Sequence, residues 1–299
     1  MYFQTLDDKT ECVGVYVDGK LNFDHIPDNL TRTWRYTGSV KDKDVEYAWI
    51  YANGAELKVV CPDHLSERLD KAQRKFRAYL KTFEIGRINM REHCFFDMVP
   101  ETFLMEFCEV KNLITEHVFE NYEKPENYDM LISFDKLLHK IKYQDLNINI
   151  DECKKLFYST SGRRKANDLL KSGKYIDYNL FGTVTGRLST RKNSFPILTM
   201  RKDFRQLIKP KNTAFLSLDY NGAEVRTFLD LSGIEQPDCD VHQWNIENVF
   251  NNSVDRESAK TNFFSWLYNP ESEAISSDLY QREKVLDKWY DGCYISTPF

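Results

Sequence analysis

Four side chains recur at every fourth position near the end of the chain: Arg256, Lys260, Phe264 and Tyr268. An α-helix turns about 100° per residue, so each four-residue step drifts by only about 40°. The four side chains therefore share one stripe of a predicted helix, which begins after the N-cap Asp255 and stops at Pro270. This stripe of two cations followed by two aromatic rings is suited to hold a polyphosphate and a ring.

An apolar run upstream of this helix leads into an acidic residue. The sequence FLSLD predicts a strand over 214–219 that ends at Asp219, followed by a helix from Ala223 to Leu231 with Gly233 as its stop. Asp219 would then project from a strand end beside an open cleft. The alternative is that Asp219 caps the following helix, and the residues alone leave both open.

Positive charge is concentrated in one part of an otherwise acidic chain. The net charge is −5, but residues 154–211 hold 15 Lys and Arg against Asp168, Asp177 and Asp203, and the rest of the chain holds 26 cations against 43 acids. A local cationic surface suits a phosphate backbone. The alternative is a solvated basic face with no ligand.

Composition predicts a soluble intracellular protein. A chain of 299 residues that is 41% hydrophobic buries a sizeable core and suggests two or three domains. No apolar run approaches the roughly 18 residues of a membrane span, and the first residues do not resemble a signal peptide. Seven cysteines without a CxxC pair indicate a reducing compartment. Two groups of residues that could bind a metal lie close together in the sequence, one at His93–His117 and one at Asp7–Glu11. Neither group matches a metal-binding pattern.

The first third of the chain has hairpin patterns and the next part has helical spacing. Alternating runs surround Asp18-Gly19 and Asn53-Gly54, which predicts two hairpins and a small antiparallel sheet over about residues 1–62. Further helices are predicted over about 64–87, 100–121, 130–143 and 151–170.

Four motifs stand in the order and at roughly the spacing found in family A DNA polymerases: TGRLS at 185–189, DYxxxExR at 219–226, DVH at 240–242 and RxxxKxxxFxxxY at 256–268. The chain resembles that family over about residues 154–299, and AKT at 259–261 makes the phage members the most similar. The resemblance implies an α+β fold of right-hand polymerase architecture that is incomplete. Its expected regions are a small β domain at 1–62, a helical thumb-like region at 63–174, a partial palm at 175–235 and partial fingers at 236–299.

The resemblance also implies template-directed DNA synthesis, in which a deoxynucleotide is transferred to a primer 3′-hydroxyl with two Mg²⁺ ions. Asp219 and Lys260 would be the catalytic residues, and Asp219 with the carbonyl of Tyr220 would bind the metal. Lys260 would neutralise the triphosphate and protonate the leaving group. The 62-residue sheet is too small for the family's proofreading exonuclease.

Two groups of binding residues follow from the same resemblance. The nucleotide-binding set is Glu224, which would select deoxyribose, with His242, Arg256, Lys260, Phe264 and Tyr268. The DNA-binding set is Arg187, which would reach the minor groove, with Arg191, Lys192, Arg201, Lys202 and Arg205 on the backbone.

The chain departs from the family pattern in three places. Residues 221–223 are Asn-Gly-Ala where the family commonly has Ser-Gln-Ile, and Ser265 and Asn269 replace usual glycines. No His-Asp-Glu motif, which carries the family's second catalytic aspartate, occurs in the sequence. We therefore expect the amino-terminal part of a polymerase, inactive alone and located in the cytoplasm, of a host cell if the protein is phage-encoded. Either a second polypeptide that carries this motif completes it, as in a split gene, or the reading frame is truncated. The alternative is a non-catalytic DNA-binding remnant.

Overall fold

The computed structural model describes residues 1–90, 92–171, 175–183, 186–192, 194–269, 271–277, 279–291 and 294–295. The described chain is an α+β protein in which helices predominate over small sheets, as predicted. It divides into two compact units, residues 1–211 and the residues from 212 onward. None of the described helices is both long and apolar enough to cross a bilayer.

The first unit contains nine strands and seven α-helices among its described residues. The strands are β1 Phe3–Asp8, β2 Glu11–Val17, β3 Lys20–Asn22, β4 Arg32–Thr33, β5 Glu46–Tyr47, β6 Asn147–Ile148, β7 Tyr178–Asn179, β8 Ser189–Thr190 and β9 Ile208–Lys209. The helices are α1 Ala48–Tyr51, α2 Asp63–Ile85, α3 Glu101–Asn121, α4 Tyr128–Lys142, α5 Ile150–Lys155, α6 Thr160–Lys171 and α7 Lys202–Arg205.

The hairpin predicted around Asp18-Gly19 is confirmed. Strands β2 and β3 pair antiparallel, with Val17 opposite Lys20, and β1 pairs antiparallel with β2 on its other side. Asp18 and Gly19 have φ angles of 48° and 73°, which a two-residue turn between twisted strands requires.

The hairpin predicted around Asn53-Gly54 is wrong. The residues before the turn form the short helix α1, which buries Trp49 and Ile50 in the core. Asn53 and Gly54 do have positive φ, 51° and 77°, but the Gly54 N–H donates to the carbonyl of Trp49 at 2.9 Å. Two consecutive residues with positive φ occur at the end of a helix as well as in a hairpin turn. The apolar run before them does not distinguish a helix from a strand.

The long helices agree with the predicted ranges. Helices α2, α3 and α4 lie over the first three predicted helical segments, and α3 and α4 contribute to the same core as β1 and β2. The segment 151–170 is two helices because the backbone is extended at Ser159. The Ser159 hydroxyl there accepts from the Gly162 N–H at 3.0 Å, in the first turn of α6. The finer division of the chain into four regions remains a prediction.

The second unit is a small helical body. Its elements are α8 Ala223–Leu231, α9 Val241–Asn248, α10 Arg256–Tyr268, α11 Arg282–Trp289, β10 Tyr290–Asp291 and β11 Tyr294–Ile295. An aromatic cluster fills its core, in which the ring of Phe228 lies 5.9 Å from Phe263, 5.4 Å from Trp266 and 5.1 Å from Tyr280. Helix α8 has the predicted bounds, and Gly233, with φ of 71°, follows its C-terminus.

The strand predicted over 214–219 is wrong. Residues 213–220 belong to no sheet and are all exposed. Phe215 is 64% exposed, and Leu216 and Leu218 are each 83% exposed. A strand requires a hydrogen-bonded neighbour, and no described residue of this chain provides one for this segment.

Candidate nucleotide-binding face

Helix α10 separates its apolar residues from the predicted stripe. Ala259, Phe263, Trp266 and Leu267 are buried in the core of the second unit. Lys260 and Tyr268 are exposed on the other side. The Asp255 carboxylate caps the helix by accepting from the Ser258 N–H at 2.7 Å, as predicted. The predicted stop, Pro270, lies outside the described residues.

The two aromatic residues of the stripe are stacked. The ring centroids of Phe264 and Tyr268 are 6.2 Å apart and their planes differ by 6°. Tyr268 is 64% exposed, whereas Phe228, Phe263, Trp266 and Tyr280 of the same unit are buried. Lys260, one turn before Phe264, is exposed as well. The carboxyl half of the stripe thus presents a cation beside aromatic surface, which suits a phosphate attached to a flat ring.

Arg256, the first residue of the stripe, is held by an acid from outside α10. Its Nη2 donates to Asp240 Oδ2 at 2.7 Å. Asp240 also caps α9, accepting from the N–H groups of His242 and Gln243 at 2.9 and 3.0 Å, and accepts from Asn221 at 3.0 Å. The Arg256 guanidinium and these N–H donors hold the pKa of the Asp240 carboxyl far below its usual range. Arg256 therefore reaches a phosphate only while shared with Asp240 or after leaving it.

His242 is not on the exposed face. Its side chain is 4% exposed, and its Nδ1 is buried without a hydrogen-bond partner among the described residues. Burial lowers the pKa of the His242 imidazole, and the nearby charges of Arg256 and Lys260 lower it further. The ring is therefore neutral at pH 7, whereas the sequence placed it among the cations.

Gly222 brings the DYNG turn against α9. Its φ is 62°, and a Cβ at this position would lie 2.4 Å from Cγ1 of Val241. Asn221 fixes the same turn, because its Oδ1 accepts from the Val241 N–H at 2.9 Å. The departures from the family pattern at residues 221 and 222 thus have a local reason in this chain.

Asp219 and Tyr220 lie in the exposed segment that precedes this turn. The N-cap position of α8 is Gly222, so the alternative that Asp219 caps that helix is wrong. Tyr220 is 82% exposed. Glu224 lies in the first turn of α8 and is partly buried.

Arg226 is a structural residue that sequence reasoning left without a role. Its guanidinium donates to the carbonyls of Asn221, Pro237 and Cys239, each at 2.9 Å. It thereby ties the loop before α9 to the turn after Asp219. The sequence signal for this role is that Arg226 is the arginine at the end of the DYxxxExR motif.

The described residues do not complete a two-ion magnesium site. No group of three or more His, Cys, Asp or Glu side chains among them is arranged to hold a metal ion. The nearby Asp240 carboxylate is already used by Arg256, Asn221 and the N-terminus of α9. Asp219 with the carbonyl of Tyr220 offers too few oxygen ligands for two ions, so no catalytic step is assigned to this chain alone.

The predicted DNA-binding residues lie in the first unit. Five of them are exposed: Arg187, Lys192, Arg201, Lys202 and Arg205. Arg191 is only partly exposed, and its Nε lies 3.7 Å from the Asp177 carboxylate. Burial and the charge of Arg35 lower the pKa of Arg191, consistent with a structural contribution.

Comparisons with protein-family models, with curated proteins and with solved structures found no match. The assignment of function therefore depends on the motifs and on the geometry of the second unit.

Proposed function

We propose that this chain is the nucleotide-binding part of a DNA polymerase similar to family A, with an incomplete right-hand architecture. In this proposal it works in phage DNA replication, where it adds deoxynucleotides to a primer 3′-hydroxyl with two Mg²⁺ ions. A second polypeptide carrying the His-Asp-Glu motif supplies the missing carboxylate. We call the two polypeptides together the completed complex. We expect the 299-residue chain to be inactive without the second polypeptide.

The observation that carries the proposal is the stripe on the outer side of α10. A helix that served only to pack would bury its large aromatic residues, and α10 does bury Phe263 and Trp266. Tyr268 instead is 64% exposed, and Phe264, which is partly buried against the core, stacks on it one turn after the exposed Lys260. In the proposed complex Lys260 contacts the triphosphate, and Phe264 and Tyr268 contact the base and sugar.

The remaining nucleotide contacts follow the motif positions. Glu224 would lie under the sugar and exclude a 2′-hydroxyl. Arg256 would contact the γ-phosphate, and the Arg256–Asp240 ion pair would have to be shared or broken for this. His242 is buried, so it would contact the β-phosphate only after its side chain became exposed. A triphosphate carries more charge than one carboxylate, so it competes well for this guanidinium.

The exposed segment 213–220 supports a completing polypeptide. Its sequence favours a strand, its apolar side chains are in solvent, and no hydrogen bond among the described residues involves its backbone. An unpaired extended segment of this kind is a template for pairing with another strand. A palm strand that paired here would bring its own carboxylate near Asp219.

The alternative of a DNA-binding remnant does not explain the stripe. Such a protein needs only the exposed cations of residues 154–211 to hold a phosphate backbone. It has no physical use for an exposed tyrosine, Tyr268, that stacks on Phe264 beside Lys260 on α10.

The proposal is tested by the affinity of the chain for a deoxynucleoside triphosphate. We expect Phe264→Ala to weaken binding of dTTP with Mg²⁺ about tenfold, because stacking of an aromatic ring on a base contributes roughly 1–3 kcal/mol. Isothermal titration calorimetry measures this on the isolated chain. Tyr268→Ala, at an exposed position, should act in the same direction if Phe264→Ala perturbs packing.

The matched control is Tyr158→Ala, which removes a 94% exposed aromatic side chain from the first unit. This variant should bind dTTP like the parent chain. Equal affinity of the parent, Phe264→Ala and Tyr268→Ala would show that α10 does not hold the nucleotide.

A further inference from the structure

Five cations lie within eleven residues of α2, and no acid lies between them. They are Lys71, Arg74, Lys75, Arg77 and Lys81, and all five are exposed. We call this surface the α2 basic face. It lies outside residues 154–211, in a part of the chain whose overall charge is negative. We propose that the α2 basic face binds the phosphate backbone of duplex nucleic acid as a second contact tract.

The helix that carries this face is firmly held on its other side. Leu69, Ala72 and Phe83 are buried. The ring of Phe76 stacks on Phe107 of α3 with centroids 5.7 Å apart, and Tyr79 lies 5.1 Å from Phe103. The five cations therefore project from a fixed backbone, which reduces the entropy lost when they bind a rigid ligand.

The five cations are not used for ion pairs with the described residues. The charged residues just before them on α2 are paired, since Arg68 bonds Glu106 and Glu109 at 3.0 Å and Asp70 bonds Lys58 at 3.1 Å. Within the described part of the chain, no member of the α2 basic face lies within ion-pair distance of an acid. Arg68 lowers the pKa of the Glu106 carboxyl, and the charges of Lys71 and Lys75 lower it further without forming an ion pair with it.

The size of the face fits a short stretch of duplex. From Lys71 to Lys81 a helix rises about 15 Å, which corresponds to about four base-pair steps of 3.4 Å. Ala78, near the centre of the face, is small enough for a phosphate backbone to approach the helix closely.

A lipid surface fits this face less well than a nucleic acid does. A helix that lies in a membrane interface inserts an apolar face into the lipid beside its cations. Helix α2 instead packs Phe76, Tyr79 and Phe83 into the cluster around Phe95. Only Leu80 and Ile85 of its large apolar side chains are exposed, which is too few for such a face.

The test compares two triple variants that remove the same charge. Arg74→Gln, Arg77→Gln and Lys81→Gln together leave in place Lys71 and Lys75, whose charges lower the pKa of Glu106, and they keep good helix formers on α2. The control triple, Lys20→Gln, Lys41→Gln and Lys140→Gln, removes three exposed cations from elsewhere in the first unit. Affinity of the 299-residue chain for a fluorescent primer-template duplex is measured by anisotropy over a range of salt concentrations.

We expect the α2 triple to flatten the slope of log affinity against log salt by up to about 2.7, or about 0.9 for each phosphate that is no longer neutralised. The control triple should leave the slope unchanged. An equal change in both triples would assign the effect to net charge and overturn the proposal, as would no change in the α2 triple. A larger loss of binding to anionic phospholipid vesicles than to DNA would also overturn it.

The choice of duplex DNA as probe rests on the proposed function, but the result is independent of it. A third triple, Arg201→Ala, Lys202→Ala and Arg205→Ala, tests the tract of residues 154–211 and is expected to flatten the slope similarly. If only the α2 triple fails to change the slope, the second tract is wrong while the proposed function stands. If dTTP does not bind but the α2 triple flattens the slope, the proposed function is wrong while the second tract stands.

Discussion

Asp219→Asn should almost abolish nucleotide addition by the completed complex while leaving its affinity for DNA unchanged. Asparagine keeps the shape of the side chain, but it lacks the charge that makes a carboxylate a good ligand for Mg²⁺. We expect the rate of addition to fall by about three orders of magnitude or more. Because Asp219 is exposed in a segment outside any helix or sheet, the variant should melt like the parent chain.

The control for this variant is Asp238→Asn, which removes an exposed carboxylate from the same unit. Single-turnover primer extension should distinguish the two variants at saturating nucleotide. Full activity of Asp219→Asn would show that this aspartate is not a catalytic residue. It would also contradict the proposed relation to family A polymerases.

Lys260→Ala should slow the chemical step by about two to four orders of magnitude, the range expected for loss of a general acid. Lys260 stands exposed at the centre of the α10 stripe, one turn from Phe264. Lys260→Arg retains the positive charge but is a poor proton donor, so it should restore nucleotide affinity more than rate. The measurement is the single-turnover rate as a function of dTTP concentration, which separates binding from chemistry.

Lys284→Ala, at an exposed position on α11, serves as the control for charge in the same unit. It should leave both rate and affinity unchanged. If Lys260→Ala weakened binding alone and left the rate at saturation intact, the lysine would only position the triphosphate.

The parts of this protein that the sequence predicted correctly depend on local physics. The stripe of α10 follows from helical periodicity, and its start follows from the Asp255 cap. Helix α8 has its predicted bounds because Gly233 adopts the positive φ that ends a helix. In each case the deciding interactions join residues within a few positions of one another.

The parts that the sequence did not predict depend on contacts between distant residues. Asp240 links Arg256, Asn221 and the N-terminus of α9, and no spacing rule brings these groups together. The burial of His242 likewise depends on how α9 packs. The strand predicted over 214–219 failed because an extended apolar run becomes a strand only beside a partner.

The most direct test of the proposed function is primer extension by the 299-residue chain with and without a polypeptide that carries a His-Asp-Glu palm segment. The account predicts no extension by the chain alone, and Mg²⁺-dependent addition of deoxynucleotides when the two are mixed. Extension by the chain alone would contradict the incomplete site. A mixture that assembles and binds primer-template but adds no nucleotide would contradict the assignment as a polymerase.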